Sequence, residues 1–370
     1  MPYLLTLSNK VYSPVTDLNN EWETQLRAAG AVIVADKIMH FGDPLGEIRA
    51  AAAGDVVVEM SHLALLRVQG IEAESFLQGQ LSNDIRLVTA NHSQLSAYCN
   101  PKGRMLAIFR IFKRDDAYLL QLPAALAETT LKRLGMFIMR AKVTLAPADP
   151  DLVSFGIAGP NAALQLQELW GPVPSQVDDC RSDATLTAIR LPGVPARFQL
   201  VGPVSAIGPL WDRLKSVAMP ASNQVWRWLD IEAGVPSILP GTVEEFIPQM
   251  TNLDLVGGVN FKKGCYPGQE IVARMHYLGR LKQRMVRAHV ASDTPPLPGA
   301  PVFAPDFPGQ SAGTVVDAQA GPSGGHDLLV VLQLSSIAKG DIHLERPDGP
   351  ALALKDLPYS LPVASSADTK

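Results

Sequence analysis

The chain has 370 residues, of which 47% are hydrophobic, and carries a formal net charge of −4. More than one domain is expected at this length, and the charge predicts no global attraction to nucleic acid. Three scattered cysteines argue against a disulfide framework. Because the apolar runs fall far short of the roughly 20 residues of a membrane helix and residues 1–6 lack a signal-peptide pattern, we expect a cytoplasmic protein with no membrane span.

Two stretches of the sequence repeat the same order of elements. An apolar strand, a turn at Gly70 and a helix open the first stretch, and an apolar strand, a turn at Gly159 and a helix open the second. Strands and helices are mixed and do not alternate strictly, which is typical of α+β folds. We therefore predict two ferredoxin-like α+β subdomains, at residues 56–150 and 151–278, within one region at 56–278.

The two ends of the chain have a different texture. Residues 1–55 form an N-terminal extension whose role the sequence does not reveal. From 279 to 362, short alternating strands are separated by proline and glycine, which predicts a small antiparallel β-barrel. The residues 363–370 are small and polar and are expected to be disordered.

A lone thiol stands in the segment Lys262-Lys263-Gly264-Cys265-Tyr266-Pro267-Gly268-Gln269-Glu270. No second cysteine is near enough in the sequence to form a CxxC pair. The helical spacing of Ile271, Val272 and Met275 predicts a helix directly after it. A thiol at a helix start, beside Lys263, would lie in a positive potential that favours the thiolate. On these residues alone, the commoner alternative is that Cys265 is a small buried hydrophobe.

The region around this thiol is also basic. Residues 262–287 contain seven bases and one acid, Glu270, so the segment has a local charge of +6. This charge predicts a surface that faces an anion. An RNA-binding module would need stacking aromatic side chains among these bases, and only Tyr266 and Tyr277 are available. We therefore rank direct nucleic-acid binding last.

A second candidate site is the segment that contains Trp226 and Arg227. An aromatic ring and a guanidinium could stack on and pair with a planar anionic ligand, such as a pterin with a glutamate tail. Trp226 also shares a helical stripe with Leu229 and Ala233. That spacing is equally compatible with a core position for Trp226.

Motifs for metals and phosphates are missing from the sequence. The seven histidines form no HxH or HxxxH pair, and a lone thiolate cannot supply the four ligands of a structural zinc or iron–sulfur site. Cys265 could at most be one ligand of a cluster shared with a partner. The sequence also lacks GxSxG, GxxxxGK[ST], and a GxGxxG that follows a strand. No resident metal site is predicted.

Four segments carry a further signal: Phe76-Leu77-Gln78-Gly79-Gln80, Cys99-Asn100-Pro101-Lys102-Gly103-Arg104, residues 246–253 and, most specifically, the cysteine segment. Together they resemble the bacterial YgfZ family, folate-binding relatives of the glycine-cleavage T-protein. The resemblance runs in order from residue 61 to 361 and implies a T-protein-like ring of two α+β subdomains and a C-terminal antiparallel β-barrel around a channel of folate size. It also implies a role in making or repairing iron–sulfur clusters in client enzymes, including those that thiolate transfer RNA.

The resemblance assigns roles to residues of this chain. Cys265 would be the functional thiol, with Lys263 beside it. Tetrahydrofolate or a related folate would be held near Trp226, and Leu63 stands where relatives can carry a second stacking tryptophan. The other predicted folate contacts are Arg227, Asn252 and Lys102, and the other motif residues are Lys262, Gly264, Tyr266, Gly268, Gln269, Glu270 and Arg274.

Aminomethyl transfer to tetrahydrofolate is the alternative function. In the T-protein, the strand after the glycine-rich hairpin turn carries an aspartate that assists the transfer, whereas residues 102–108 here contain no carboxylate. No group in that strand could therefore manage the charge of a substrate amine. Residues 196–200 also lack the glutamate with which those enzymes contact the pterin, which predicts a modest folate affinity. We favour a folate-binding accessory protein.

Overall fold

The computed structural model describes residues 19–277, 279 and 281–362, so the predicted disordered tail lies outside the described residues. Within these ranges, no helix is both long and apolar enough to cross a membrane. The helices are α1 (Asn20–Ala28), α2 (Pro44–Ala53), α3 (Ala73–Gln78), α4 (Ala124–Gly135), α5 (Ala162–Trp170), α6 (Val204–Leu214), α7 (Asn223–Glu232), α8 (Gln269–Tyr277) and α9 (Leu334–Lys339). The strands are β1 (Val32–Val34), β2 (Lys37–His40), β3 (Val56–Glu59), β4 (Leu63–Gln69), β5 (Gln94–Cys99), β6 (Met105–Arg114), β7 (Ala117–Pro123), β8 (Thr144–Pro147), β9 (Leu152–Ala158), β10 (Cys180–Ser182), β11 (Thr187–Leu191), β12 (Arg197–Pro203), β13 (Met219–Ala221), β14 (Gln283–Val290), β15 (Pro301–Phe303), β16 (Gly313–Ala320), β17 (His326–Gln333), β18 (His343–Leu344) and β19 (Leu352–Lys355).

The first α+β unit is an antiparallel sheet in the order β5-β6-β7-β4-β8. Apolar side chains of α3 and α4, such as Leu77 and Leu134, pack in one core with Leu66 and Leu120 of the sheet. The pattern of residues 124–140 predicts a helix over this whole range, but α4 ends at Gly135. The helix is not resumed before residue 140, because Met139 has a left-handed backbone with φ of 44°.

The second unit is a six-stranded sheet in the order β10-β11-β12-β9-β3-β13, antiparallel except for the pair β13–β3. Helix α1 packs against helix α6 of this unit, since the rings of Trp22 and Trp211 meet edge to face at 5.3 Å. The strand Val56–Glu59, which opens the range predicted for the first subdomain, pairs with β9 of this second sheet. The predicted domain boundaries stay predictions.

The C-terminal strands form an antiparallel sheet in the order β18-β15-β16-β17-β14-β19. A β-bridge between His343 and Ala351 joins the two edges, so the sheet curls back on itself. On β14 the residues Val286, Ala288 and Val290 are buried, as their alternation in the sequence predicts. The α+β class and the curled C-terminal sheet are therefore confirmed.

The two α+β sheets face each other across a shared core. Leu65, Phe112 and Leu119 of the first sheet belong to the same buried cluster as Ile189 and Trp226 of the second unit. Helix α7 contributes Trp226 to this cluster and also reaches the C-terminal sheet, where Trp228 Nε1 donates a hydrogen bond of 3.0 Å to Asp327. Helix α7 is thus the element that touches all three parts of the fold.

We predict that Gly156→Ala destabilises the protein by about 2 kcal/mol or more, as overpacking in a rigid core does. A Cβ at Gly156 would lie 2.7 Å from Trp226 Cε3 and closer still to other atoms of that ring. Urea unfolding monitored by circular dichroism measures the change. Gly135→Ala is the matched control, because a Cβ at the end of α4 meets no atom within 4 Å; equal stabilities of the two variants would contradict the prediction.

Protonation of His62 is predicted to destabilise the fold in acid. Burial, and then the charge of Arg227, lower the pKa of His62 from 6.5 to about 3. Between these two pH values the unfolded chain binds a proton that the folded chain does not, so stability falls as pH drops below 6.5. From pH 7 to pH 5, the wild type should lose up to about 2 kcal/mol more stability than His62→Gln. Urea unfolding at both pH values measures this difference, and parallel losses would refute the assignment.

Candidate functional site

Cys265 lies exposed in a loop between two buried neighbours, Lys263 and Tyr266. Helix α8 begins only at Gln269, four residues beyond the thiol. The expectation that Cys265 stands at the helix start is therefore wrong, because a turn at Pro267 and Gly268 comes between the thiol and the helix. The thiol is presented by a loop and not by the first turn of a helix.

The Lys263 ammonium group ties this loop to the first α+β unit. Its Nζ donates hydrogen bonds to the carbonyl oxygens of Gln78, at 2.7 Å, and of Leu81. It also lies 5.0 Å from the centre of the Tyr266 ring. Burial lowers the pKa of Lys263 to about 8, while the charge of Asp84 opposes this shift. Its contacts show that Lys263 anchors the loop, and its predicted chemical role beside the thiol stays a prediction.

The segment that follows α3 holds the chain before the cysteine through three further hydrogen bonds. Ser82 Oγ donates to the carbonyl of Gly258 at 2.7 Å, and its own carbonyl accepts from the backbone N–H of Asn260 at 3.0 Å. Asn83 Nδ2 donates to the carbonyl of Gly257 at 2.7 Å. The segment 78–83 thus holds residues 257–263 in place.

The chain after the cysteine is held by the glycine-rich hairpin turn. Gly268 and Gly103 both have positive φ, of 81° and 73°. A Cβ at Gly268 would lie 2.6 Å from Gly103 Cα and 2.5 Å from the Asn100 carbonyl oxygen, so only glycine permits this approach. The side chain of Lys102 is exposed on the same turn. The tertiary structure therefore brings together the hairpin and cysteine motifs, the two segments that contain the glycines.

The remaining motif residues lie around this loop. Gln269 Nε2 donates to the Lys263 carbonyl at 3.3 Å, while Lys262, Glu270 and Arg274 are exposed, as is Gly264. The loop thus carries an exposed thiol among exposed charges, on a backbone fixed at both ends.

Aromatic rings that the sequence did not single out pack beside α8. The rings of Phe261 and His276 stack at 3.7 Å, and the Tyr277 ring meets His276 edge-on at 4.7 Å. Tyr266, which was counted among the available stacking residues, is buried. The sequence spacing of Phe261 and His276 does not predict their contact, because it depends on how the chain turns between them.

Trp226 is buried in the core between the two α+β sheets. Only 1% of its surface is exposed, and its ring lies against Gly156. The Arg197 guanidinium carbon stands 5.2 Å from the ring centre. Leu63 packs at the edge of the same cluster. The structure therefore shows the core position that the helical stripe allowed, and a folate contact of Trp226 and Leu63 stays a prediction.

Arg227 and Asn252 join the second unit to the C-terminal sheet. The Arg227 guanidinium makes a two-point contact with the Asp317 carboxylate, one of whose bonds is 3.2 Å long. Asn252 Nδ2 donates to the Met285 carbonyl at 2.8 Å and, at 3.4 Å, to the Tyr359 hydroxyl. These contacts are structural, so the predicted folate contacts of Arg227 and Asn252 also stay predictions.

Buried polar groups interrupt the apolar layer that contains Trp226. Gln199 pairs across the strand with Gly156, next to the Trp226 ring, and neither polar atom of its amide has a hydrogen-bond partner among the described residues. The Arg197 Nη2 group donates to Asp230 at 2.7 Å, but Nη1 likewise has no partner there. The opposite sheet adds Gln121, whose Nε2 is also unpaired.

These groups lie on facing surfaces of the two sheets. Gln199 and Arg197 alternate with Phe198, which faces the outer core, so they share the inner face. Gln121 pairs with Arg110, whose charge lies close enough to Arg197 to lower its pKa after the larger effect of burial. Each unpaired buried polar group costs about 1–3 kcal/mol. Several of them in one layer are typical of a site that a polar ligand or water completes.

The sequence analysis did not select Gln121 and Gln199 as site residues. A signal was present, because each is a polar residue between two apolar ones in a strand that is otherwise buried. The role of a polar residue at a buried strand position can be assigned only when the residues that face it from the opposite sheet are known. Among the described residues, no group of three histidine, cysteine, aspartate or glutamate side chains is placed to hold a metal ion.

Comparisons with known proteins agree with this architecture. A family model described as the GCVT N-terminal domain matches residues 22–205. The solved structure of the glycine cleavage system aminomethyltransferase T from Bartonella henselae superposes with a TM-score of 0.75 over 91% of this chain and 96% of that one, at 20% identity. This likeness shows the fold, which is that of the T-protein.

Curated relatives identify the family. The tRNA-modifying protein YgfZ of Shigella boydii is 32% identical over 299 residues, which cover 80% of this chain and 91% of the relative. The protein of the same name from Enterobacter sp. is 30% identical over 321 residues, which cover 86% of this chain and 97% of the relative. The chain therefore belongs to the YgfZ family.

Proposed function

We propose that this protein binds a folate between its two α+β sheets and uses the Cys265 thiol to support the assembly or repair of iron–sulfur clusters in enzymes that modify transfer RNA. The name of its relatives, tRNA-modifying protein, and the match to the GCVT domain support this proposal. The same proposal places the protein in the cytoplasm, where it would meet these enzymes.

The observation that carries the folate proposal is the unpaired amide of Gln199 beside Trp226. A pterin is a flat ring whose amino and oxo groups form a row of donors and acceptors. A glutamine amide offers both a donor and an acceptor, and the free Arg197 Nη1 offers a further donor. Trp226 would contribute an aromatic wall to the same place. The donors and acceptors of these residues therefore match those that a pterin presents.

The anionic tail of a folate would require positive charge. The exposed side chains of Lys102, Lys262 and Arg274 supply it on the hairpin turn, the cysteine loop and α8. Lys102 and Lys262 belong to the two segments that Gly103 and Gly268 bring into contact. Carboxylates of the tail would pair with these bases at the surface, where such pairs contribute little affinity but set the orientation.

The exposed thiol fits a protein that acts on a partner's cluster. Cys265 is accessible while the chain on both sides is fixed by Lys263 and Gly268. A thiolate is a preferred ligand of iron–sulfur clusters, and one thiolate can occupy one coordination position of a cluster that the client enzyme holds. The fixed loop would present the sulfur without first having to become ordered.

Aminomethyl transfer is less well supported by the structure. Residues 102–108 contain no carboxylate. Glu244 lies next to them in space, since its backbone N–H donates to the Met105 carbonyl at 2.8 Å. Its carboxylate, however, lies 3.7 Å from Arg133. The function would then be binding without the transfer chemistry of the T-protein.

Tetrahydrofolate is expected to change the intrinsic tryptophan fluorescence of the protein and raise its melting temperature. Gln199→Leu should raise the dissociation constant at least about tenfold, because it removes the amide that pairs with the pterin. Gln167→Leu makes the same chemical change on the exposed side of α5 and should leave binding unaltered. Equal binding by both variants, or a ligand without effect on the wild type, would refute the folate proposal.

The thiol is tested by complementation in a bacterial strain that lacks its own YgfZ protein. Cys265→Ala should fail to restore thiolated transfer RNA, measured by mass spectrometry of nucleosides, yet bind tetrahydrofolate as the wild type does. Cys180→Ala, which removes a buried thiol, should restore thiolated transfer RNA. Full restoration by Cys265→Ala would make the thiol structural, and methylene transfer at the rate of a T-protein would revive the enzyme alternative.

A further inference from the structure

An apolar patch is exposed on the first α+β unit, just after α4. Met136 is 68% exposed, Phe137 48% and Met139 87%, within four consecutive residues of the chain. Ile71, at 82% exposure, precedes Glu72, whose carboxylate accepts the backbone N–H of Lys142 a few residues further along the same segment. We call these four residues the methionine patch. Clusters of large exposed apolar side chains are uncommon on soluble proteins and mark interaction sites.

The backbone holds this patch in place. A Cβ at Gly70 would overlap the Lys142 carbonyl, and the Glu72 carboxylate accepts the Lys142 N–H at 2.5 Å, so Ile71 is fixed next to the end of the segment. Met139 has a φ of 44°, in the left-handed region that side chains rarely adopt. The backbone at Met139 is therefore strained while its side chain is exposed. Strain of this kind is concentrated at functional sites.

Positive charge borders the patch. Arg140 and Lys142 are exposed, and neither has a carboxylate within 4.0 Å among the described residues. Arg133 of α4, in contrast, has an acidic neighbour, since it lies 3.7 Å from Glu244. Glu72 and Glu74 are acids at this edge, and their carboxylates accept hydrogen bonds from the Lys142 N–H at 2.5 Å and from the Tyr118 hydroxyl at 3.3 Å. The border is therefore complementary to an acidic ligand.

We propose that the methionine patch binds a protein partner through an amphipathic acidic segment of that partner. Flexible methionine side chains adapt to partners of differing shape, and methionine, phenylalanine and arginine are enriched at protein interfaces. Arg140 and Lys142 pair with the acids of the segment, while Phe137 and the methionines cover its apolar face. This site is separate from the folate proposal and does not depend on it.

A protein partner fits these residues better than a membrane or a second copy of the chain. Interfacial membrane binding relies on a long amphipathic helix with several bases, whereas this patch is a short turn with two free ones. A second copy would bring the same two bases against each other, because a twofold interface pairs a surface with itself. The patch also lies on the unit whose hairpin packs against the cysteine loop.

The test uses the full-length protein and a fluorescein-labelled helical peptide with leucine and phenylalanine on one face and glutamate on the other. Fluorescence anisotropy should show micromolar binding, and the double variant Phe137→Ser/Met139→Ser should weaken it at least about tenfold. The charge variant Arg140→Glu should weaken it by a similar factor. The same peptide with lysine in place of glutamate should bind at least about tenfold more weakly.

Leu164→Ser is the matched control, since this exposed leucine lies on α5 of the other unit, and it should bind the acidic peptide as the wild type does. Thermal unfolding checks that each variant is folded. Absence of binding, or equal binding of the two peptides, overturns the proposal. Phosphatidylglycerol vesicles that bind in place of the peptide would assign the patch to a membrane, and self-association lost in the double variant would assign it to a second copy; either result also overturns the proposal.

Discussion

The close contact between Gly268 and Gly103 is the constraint on which the candidate site depends. Both residues adopt positive φ, and no Cβ fits between the two chains. Because the hairpin turn is rigid, it fixes the direction in which the chain leaves the cysteine. The Lys263 ammonium group fixes the direction in which the chain arrives, at the cost of burying a charge. Cys265 is left as the exposed residue between two anchors.

The layer between the α+β sheets combines stability with a place for a polar ligand. Trp226, Phe112 and Ile189 give it a well-packed apolar core, which holds the two units together. Gln199, Gln121 and the free Arg197 Nη1 interrupt that core without partners among the described residues. A layer selected for stability alone would replace them with apolar side chains. Their retention is therefore the strongest physical reason to look for a ligand here.

The parts of the fold that depend on local pattern could be predicted from the sequence. On β14, the alternation of the sequence places Val286 and Val290 inside, as the structure shows. Helix α4 ends at Gly135, and the left-handed backbone at Met139 prevents its resumption, which periodicity does not encode. The strand Val56–Glu59 pairs with the second sheet, and only its pairing decides this, since an apolar strand fits any buried sheet.

For the candidate site, the sequence by itself determined which residues are chemically notable: a lone thiol, a basic segment and glycines in two motifs. The tertiary structure decided how they are arranged. It showed that Lys263 anchors the loop, that Trp226 is core, and that Gln121 and Gln199 share a layer although 78 residues separate them in the chain. Side-chain roles depend on partners from distant parts of the chain, and these contacts arise only when sheets pack, so local pattern cannot specify them.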